Sequence, residues 1–303
     1  MRRVRPHEPS KPGETVVAGV RITHPDKPMF PRLALTKLDI ARYYESVGRW
    51  MVPHLNGRPL TLVFCPAGVG EGCTYLRHTK VWGPRAIRRV KIQEKTKVGE
   101  YMVVDTLEGL VSLAQMNVLE IHTWNSTVDS LERPDRMVFD LDPGQEVTWA
   151  QVIAAAKALR KMLKTAGLKS WIKTTGGRGL HIVVPIVPRH DWSSCLEFAR
   201  AVASVMAEQD PVRYTTDFRK AGRERKILID YLRNNRTNTS ICAFAVRARD
   251  GAPVSMPIAW ADLKPSLKPD RFTVTSAPAH LARRRVDPWL DYWTSQQELT
   301  LPA

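Results

Sequence analysis

The sequence predicts an α+β fold in which helices flank mixed or antiparallel sheets. Strand-like apolar runs and helix-like amphipathic runs follow one another irregularly, and several strand pairs are joined by short turns. This order is typical of hairpin-rich α+β domains and unlike the regular alternation of a doubly wound parallel sheet. We find no internal repeat and no central linker. We therefore predict a loose basic tail over residues 1–16, one domain over 17–295 and a C-terminal tail over 296–303.

The first half of the chain predicts two helices and a strongly basic hairpin. A short strand over 17–22 precedes a helix that begins at a capping box, Thr36 with Asp39, and ends near Pro53. A strand over 60–64 enters a glycine-rich turn, and a helix over 107–119 is followed by a strand over 120–123. Between them, residues 87–104 read as a hairpin with its basic residues at or near the tip: Arg88, Arg89, Lys91, Lys95 and Lys97.

The second half predicts five further strands, one hairpin-like pair among them, and two helices. A short strand over 137–141 is closed by an Asp-Pro-Gly turn. Thr148 with Gln151 caps a helix that runs through residue 163 and is stopped by Gly167. A pair of strands over 168–173 and 181–187 encloses a glycine-rich turn. A helix over 193–208, a basic loop and strands over 226–232 and 240–246 complete the pattern.

The charge of the chain favours a polyanionic partner. The 303 residues include 46 Lys and Arg against 30 Asp and Glu, which gives a formal charge of +16 and a pI of about 10.0. Each phosphate that such a surface neutralises releases condensed counterions. An anionic membrane could use the same charge, but no apolar run approaches the ~20 residues of a spanning helix, and no secretory signal opens the chain. We expect a soluble, intracellular protein that faces nucleic acid.

The four cysteines are scattered and predict no metal or redox motif. None of Cys65, Cys73, Cys195 and Cys242 has a partner at two-residue spacing. Cys65, Cys73 and His78 could together ligate a metal. We favour the simpler prediction of free buried thiols in a reducing compartment.

Two aspartates at the end of an apolar strand form the first candidate site. Residues two apart in a strand face the same side, so Asp140 and Asp142 point together while Leu141 enters the core. Carboxylates held that close repel each other unless a cation lies between them, and their oxygens suit magnesium or manganese. The alternative is a simple Asp-Pro-Gly turn with a hydrogen-bonded neighbour. Similar pairs also hold manganese in sugar-nucleotide transferases.

Three further features could serve phosphate chemistry. The segment KTTGGRGLH, residues 173–181, lets the backbone approach an anion closely, although a flexible basic turn would look the same. Asp230 ends an apolar strand as either a third metal ligand or a turn residue. Arg247 and Arg249 alternate as either a phosphate clamp or solvated arginines on an edge strand. Together with the aspartates, these features favour metal-assisted phosphoryl or nucleotidyl transfer, and a two-metal nuclease fits almost as well.

The order and spacing of these motifs resemble the polymerase domain of bacterial ATP-dependent DNA ligase D, in the archaeo-eukaryotic primase superfamily. The resemblance covers about residues 17–293 and is carried by THPDKPMFP, LTKLDIARYY, GRPLTLV, IHTWN, LERPDRMVFDLDPG, KTTGGRGLH, KILIDYLRN and AVRARDGAPVSMPIAW. It implies a primase-polymerase core that extends ends and fills gaps in DNA during non-homologous end joining. The family tends toward ribonucleotides.

The resemblance also implies roles for individual residues. Two divalent ions, Mn²⁺ or Mg²⁺, would be held by Asp140, Asp142 and Asp230. The incoming NTP or dNTP would be held by Thr175, Arg178, His181, Arg247, His122 and Lys226. DNA would be contacted at the 5′-phosphate of a gap by Lys27, Lys37 and His24, near the templating base by Tyr75, and at the primer terminus by Arg223. The basic hairpin resembles the loop through which two such domains bridge broken ends.

The chain departs from the family pattern at several positions. Thr175 and Arg178 replace a usual serine and a common lysine and keep the hydroxyl and the charge. His24 stands where asparagine is frequent, Thr74 replaces the first residue of an aromatic pair, and Phe64 takes the place of an arginine. No ligase motif is present, so we expect either an excised domain or a polymerase that works beside a separate ligase, with Ku as a further partner and the nucleoid as its place of action. A metal-dependent nuclease and a non-catalytic DNA-end-binding module are the competing hypotheses.

Overall fold

A computed structural model describes residues 15–78, 83–284 and 286–300. Within these residues, the helices are α1 Lys37–Leu55, α2 Leu107–Gln115, α3 Trp149–Thr165, α4 Trp192–Gln209 and α5 Ala277–Ala282. The strands are β1 Val16–Val17, β2 Val20–Arg21, β3 Pro28–Phe30, β4 Leu35–Thr36, β5 Leu60–Phe64, β6 Thr74–Leu76, β7 Arg88–Gln93, β8 Val98–Val103, β9 Val118–Thr123, β10 Arg136–Pro143, β11 Trp171–Thr174, β12 Leu180–Pro185, β13 Tyr214–Thr215, β14 Ile227–Asp230, β15 Ser240–Ile241 and β16 Pro257–Ile258.

The larger sheet has six strands in the order β13-β14-β10-β12-β11-β16. Neighbouring strands are antiparallel except for the parallel pair β13 and β14. Helices α3 and α4 pack against this sheet. Its central strand β10 buries Met137, Phe139 and Leu141, while Asp140 and Asp142 alternate with them and stay partly accessible. The mixed sheet and the segregated helices confirm the predicted α+β class.

A second sheet of four strands has the order β15-β9-β5-β6. Strand β9 pairs antiparallel with β5 and with the short β15, and α2 packs beside β9 and against α1. One continuous hydrophobic cluster includes side chains of both sheets and of all five helices named above. A single core therefore fixes the two sheets relative to each other.

The helix signals in the sequence act as predicted. Thr36 accepts from the Asp39 backbone N–H while the Asp39 carboxylate accepts from that of Thr36, and Thr148 and Gln151 form the same reciprocal box at α3. Gly167, at φ +77°, ends the turn that follows α3. Helix α1 continues past Pro53 to Leu55, so the predicted end is two residues early.

Several predicted strands are shorter than the apolar pattern suggested. Residues 17–22 form two short strands because Ala18 and Gly19 turn the chain with positive φ angles. The strand predicted over 240–246 stops at Ile241, and Phe244 at φ +65° bends the chain away. The basic hairpin exists, but its tip is Glu94–Lys97, so Lys95 and Lys97 are at the tip while Arg88 lies at the base, paired with Asp105. In residues 17–22 and 240–246, the apolar side chains therefore indicated that the segment is buried, but not that its backbone is extended throughout.

The prediction of four free thiols is wrong for one pair. Cys65 and Cys73 form a disulfide with a Cα–Cα distance of 4.3 Å, whereas Cys195 and Cys242 are free and buried. The reason is the register of β5 and β6: Phe64 faces Thr74, so the next opposed pair is Cys65 and Cys73. An eight-residue spacing does not reveal that pairing unless the hairpin is known.

The chain ends differ from free tails where the structure describes them. The prediction of a loose N-terminal tail falls mostly on residues outside the described range, and Val16 belongs to β1. Near the other end, Leu299 is buried in the core cluster, and the Gln297 side chain bonds to the backbone of Lys169 and Pro185. Among the described residues, no helix is both long and apolar enough to cross a membrane.

Candidate active site

Four titratable side chains lie in one row across adjacent strands of the larger sheet. Asp140 on β10 faces Asp230 on β14 and His181 on β12, and His181 faces Lys173 on β11. Residues opposite each other in an antiparallel pair project to the same face of the sheet. The predicted metal-binding aspartates and a predicted nucleotide-binding histidine are thus neighbours, although up to 90 residues separate them in sequence.

Two arginines pair with the three aspartates. The Arg233 guanidinium lies 3.3 Å from Asp140 Oδ2 and 3.0 Å from Asp230 Oδ2. Arg223 Nη2 donates to Asp142 Oδ2 at 2.8 Å. These contacts balance the carboxylate charges of the strand ends.

Burial and neighbouring charges shift the pKa of all four side chains in this row. Burial alone would raise the pKa of Asp140, but contacts with His181 and the charges of Arg233 and Lys173 hold it well below its usual range. Burial raises the pKa of Asp230 to about 6, with Arg233 opposing and Asp140 contributing. Burial likewise lowers the pKa of His181 to about 4 and that of Lys173 to about 7. Asp140 is therefore charged and His181 neutral near pH 7.

The three aspartates supply the type of donor atom that a divalent metal such as Mg²⁺ or Mn²⁺ prefers. Among the described residues, no three His, Cys, Asp or Glu side chains are already grouped as a metal site. Asp140, Asp142 and Asp230 nevertheless offer hard oxygen ligands from adjoining strands. The raised pKa of Asp230 reflects burial and neighbouring negative charge that a bound cation would relieve.

The glycine-rich loop between β11 and β12 packs closely onto β10. A side chain at Gly179 would collide with the Leu141 carbonyl, so the close approach requires glycine. Thr175 Oγ1 donates to the Gly179 carbonyl at 3.1 Å, and Arg247 Nη1 donates to the Thr175 carbonyl at 2.6 Å. The loop and the arginine segment after β15 are therefore joined.

Arg178 is held by backbone carbonyls at the end of β10. Its Nη2 donates to three carbonyls in the turn that leads to α3: Gly144, Gln145 and Val147. The residue is exposed. The remaining guanidinium nitrogens stay available to an anion, since only Nη2 makes these bonds.

Many of these residues surround one cleft of about 320 Å³, whereas the predicted metal ligand Asp230 lies beside Asp140 and is not among the lining residues. Seven predicted site residues line it: His122, Asp140, Asp142, Thr175, Arg178, His181 and Arg247. Arg249, a candidate phosphate clamp, lines it as well. Lys226, predicted to contact nucleotide, borders a different depression with Glu146 and Val212, and does not line this cleft.

The lysines predicted to bind a 5′-phosphate lie at the start of α1 in different environments. Lys37 is only 4% exposed, and its Nζ donates to the carbonyls of Thr23 at 3.0 Å and Gln115 at 3.3 Å. Burial, assisted by the nearby charge of Lys27, lowers the pKa of Lys37. Lys27 is half-buried and shares a shallow depression with His24 and Asp26.

The backbone N–H groups in the first turn of α1 are bonded within the protein and are not free for a phosphate. The N–H of Lys37 donates to the Lys27 carbonyl, that of Leu38 to the Pro25 carbonyl, and that of Asp39 to Thr36 Oγ1. Residues 25–27 thus satisfy the donors that a bound anion would otherwise use. Side chains and not backbone N–H groups are left to bind phosphate here.

Tyr75 is the most exposed aromatic side chain near the cleft, at 72%. It lies on the edge strand β6, with its ring centroid 6.2 Å from that of His122. Phe64 and Thr74, two positions that depart from the family pattern, face each other on β5 and β6. The predicted template contact therefore lies beside the predicted nucleotide contact.

A comparison with family models shows to which protein family the chain belongs. The model for the LigD primase-polymerase domain matches residues 36–289, which include every cleft residue named above. The chain belongs to the LigD primase-polymerase family.

Solved and curated relatives agree with this family. The chain is 33% identical over 286 residues to the multifunctional non-homologous end joining protein LigD of Pseudomonas aeruginosa, covering 93% of the chain and 34% of that protein. It is 33% identical to LigD of Mycolicibacterium smegmatis, covering 84% of the chain and 34% of that protein. The polymerase domain of Mycobacterium tuberculosis ligase D, solved in complex with DNA, is similar with a TM-score of 0.82 and 28% identity, covering 87% and 94% of the two chains. The chain spans about a third of the length of these two curated relatives.

Sequence reasoning missed three residues in or next to the cleft. Arg233 follows Asp230 by three positions and bridges two of the aspartates. Lys173 opens the glycine-rich segment and occupies the end of the titratable row. Glu120 precedes His122 by two positions on β9 and contacts both His122 and Arg247. The two-residue strand period could have identified Glu120, because it places Glu120 and His122 on one face.

Proposed function

We propose that this chain is a template-dependent polymerase domain that transfers nucleotides to the 3′ end of a primer at DNA gaps and broken ends. It would act in double-strand break repair by non-homologous end joining, with DNA bearing a 5′-phosphate and NTP or dNTP as substrates. The observation that carries the proposal is the row of Asp230, Asp140 and His181, in which Asp140 and His181 line a cleft together with Thr175 and Arg247. We expect Ku and a ligase or ligase domain as partners, and the nucleoid of a bacterial cell as the place of action.

Asp140, Asp142 and Asp230 would hold two Mn²⁺ or Mg²⁺ ions. When bound, these ions activate the attacking hydroxyl and offset phosphate charge. The protein residues supply position and further positive charge. Arg247 and the free nitrogens of Arg178 would face the triphosphate from two sides of the cleft, and the Thr175 hydroxyl could exchange its bond to Gly179 for a phosphate oxygen.

DNA would approach along the rim of the cleft. Tyr75 offers an exposed ring on which a templating base can stack. Lys27 and His24 offer side chains to a 5′-phosphate, with Lys37 fastened behind them. Arg223 bonds Asp142 Oδ2 and so competes with a metal for that oxygen; once displaced, it would be free to position a primer terminus.

A gapped duplex tests the proposal and its competitors together. The protein is incubated with a 5′-labelled primer on a gapped template carrying a 5′-phosphate, nucleotides and manganese. We expect primer extension that follows the template. Shortening of the primer would identify a nuclease instead, and a gel shift with neither change would identify a DNA-end-binding module.

Aspartate variants test which residues carry the activity. Asp140→Ala or Asp142→Ala should abolish extension and leave DNA affinity nearly intact, because these side chains act on metal while basic residues hold the strand. Asp210→Ala is a matched control, since Asp210 is a carboxylate at the far end of α4 that pairs with Arg213. Extension at the wild-type rate by either cleft variant would refute the metal-site assignment.

A further inference from the structure

Glu120 joins two cleft residues that come from separate parts of the chain. It lies on β9 with His122, and its carboxylate side chain is 6% exposed. Its Oε2 accepts a hydrogen bond from His122 Nε2 at 2.8 Å. Its Oε1 accepts from the Ala248 backbone N–H at 2.9 Å and lies 3.0 Å from Arg247 Nε. One buried carboxylate thus contacts β9 and the arginine segment at residues 247–248.

The carboxylate is charged despite its burial. Burial opposes ionisation, but the hydrogen bond from His122 and the charge of Arg247 lower the pKa of Glu120 to about 2. A buried charge of this kind is costly unless its partners are fixed around it. The three contacts to Glu120 therefore restrain both side chains that it touches.

The contact also sets the tautomer of His122. Burial lowers the pKa of His122 even though Glu120 favours its charged form. Because Nε2 faces the carboxylate, Nε2 carries the hydrogen of the neutral ring, and Nδ1 is left as the nitrogen for a ligand. Arg247 is restrained at its other end as well, since Nη1 donates to the Thr175 carbonyl.

We propose that Glu120 is a positioning residue for nucleotide binding, which acts by orienting His122 and Arg247 in the cleft. The inference rests on the proposed function, because it takes a nucleotide as the ligand of the cleft. Glu120 itself contacts the two side chains and need not contact the nucleotide. A purely structural role, in which Glu120 only ties the 247–248 segment to β9, is the alternative that the experiment must separate.

The variant Glu120→Gln keeps the size of the side chain and removes its charge. We expect the KM for nucleotide in gap filling to rise about tenfold or more, since two ligand-binding side chains no longer have a charged partner that orients them. Binding of ATP with manganese, measured by calorimetry without DNA, should weaken by a similar factor, and DNA affinity should change less than twofold. Glu94→Gln is a matched control, because Glu94 also contacts a histidine, His78, together with Tyr101, and lies at the basic hairpin outside the cleft.

Two readouts separate positioning from stability. Nitrogen NMR of ¹⁵N-histidine protein, with His122 assigned from His122→Ala, should show the Nε2-protonated tautomer in the wild type and a mixture in Glu120→Gln. In the His122→Ala/Arg247→Ala background, Glu120→Gln should change nucleotide binding less than twofold, because nothing is left for it to orient. Glu120→Asp keeps the charge and should give an intermediate KM.

Each outcome of these measurements has one meaning. An unchanged KM and tautomer in Glu120→Gln, with an active wild type, overturns the inference alone. Glu120→Gln could instead lower Tm, kcat, DNA affinity and nucleotide affinity together and leave the tautomer unchanged. That result would assign Glu120 a structural role and would also overturn the inference. A wild type that neither binds ATP nor extends a primer refutes the proposed function, and the inference falls with it.

Discussion

Lys27 and Lys37, which resemble a pair that grips a 5′-phosphate, should respond differently to replacement by alanine. Lys37 is 4% exposed and donates to two carbonyls, whereas Lys27 is half-buried and borders the depression that also contains His24. We predict that Lys37→Ala lowers both the thermal stability and the affinity for a 5′-phosphorylated gap. Lys27→Ala should lower only the affinity.

The size of the stability loss follows from the hydrogen bonds of the Lys37 ammonium. Hydrogen bonds from a charged donor contribute about 1.5–3 kcal/mol each. Because burial lowers the pKa of Lys37, desolvation offsets part of this gain, and we expect a net loss of about 1–2 kcal/mol. With an unfolding entropy of roughly 2 cal/mol/K per residue, that loss lowers Tm by about 2–3 °C. Lys27→Ala should shift Tm by less than about 1 °C, because substitutions of partly exposed surface side chains usually change stability little.

Binding to two gapped duplexes checks the phosphate contact. One duplex carries a 5′-phosphate at the gap and the other a 5′-hydroxyl, and the salt dependence of binding is measured for each variant. Removing one lysine–phosphate interaction should reduce the slope of log K against log salt by about 0.9 on the phosphorylated gap only. Equal loss of affinity for both duplexes would show that the lysines form general basic surface. An unchanged Tm in Lys37→Ala would show that its two carbonyl bonds are not stabilising.

The site and the disulfide lead to three further predictions. Burial raises the pKa of Asp230 to about 6, so the metal-free protein should lose stability as the pH rises from about 4 to about 6. Asp230→Asn should therefore raise Tm by ~2–4 °C at pH 7.5 in EDTA and give no gain near pH 4. His181→Ala should raise the nucleotide concentration needed for extension or lower the turnover rate. A change in DNA binding alone would show that the glycine-rich loop binds DNA and not nucleotide. Reductant should lower the stability of the wild type by about 2–3 kcal/mol and leave Cys73→Ser unaffected, and equal unfolding curves with and without reductant would contradict a disulfide.

The sequence was most informative where local chemistry determines structure. The capping boxes at Thr36 and Thr148 and the alternation that exposes Asp140 and Asp142 depend on residues within a few positions of each other. Such features can be read from spacing alone. The resemblance to the LigD family added the expected grouping of the site residues, and seven of them line one cleft.

The sequence was least informative where strand register determines the neighbours. Neither the Cys65–Cys73 pairing nor the Asp140, His181 and Lys173 row can be derived without knowing which strands are adjacent. The same limit applies to Arg233, whose partners come from two strands. A helix signal likewise does not show what packs in front of the helix: residues 25–27 accept from backbone donors at the start of α1.

The charge balance of the cleft affects how metal would enter it. The three aspartates are paired with Arg223 and Arg233, so protein cations already neutralise part of the charge that the metal would neutralise. If the aspartates bind two divalent ions, as we propose, the metals compete with both guanidinium groups for carboxylate oxygens, and an arginine displaced in this way can pair with another anion. A nucleotide and a primer terminus carry such anions. We therefore expect metal affinity to rise when nucleotide and gapped DNA are present, because the released arginines then gain phosphate partners in place of carboxylates.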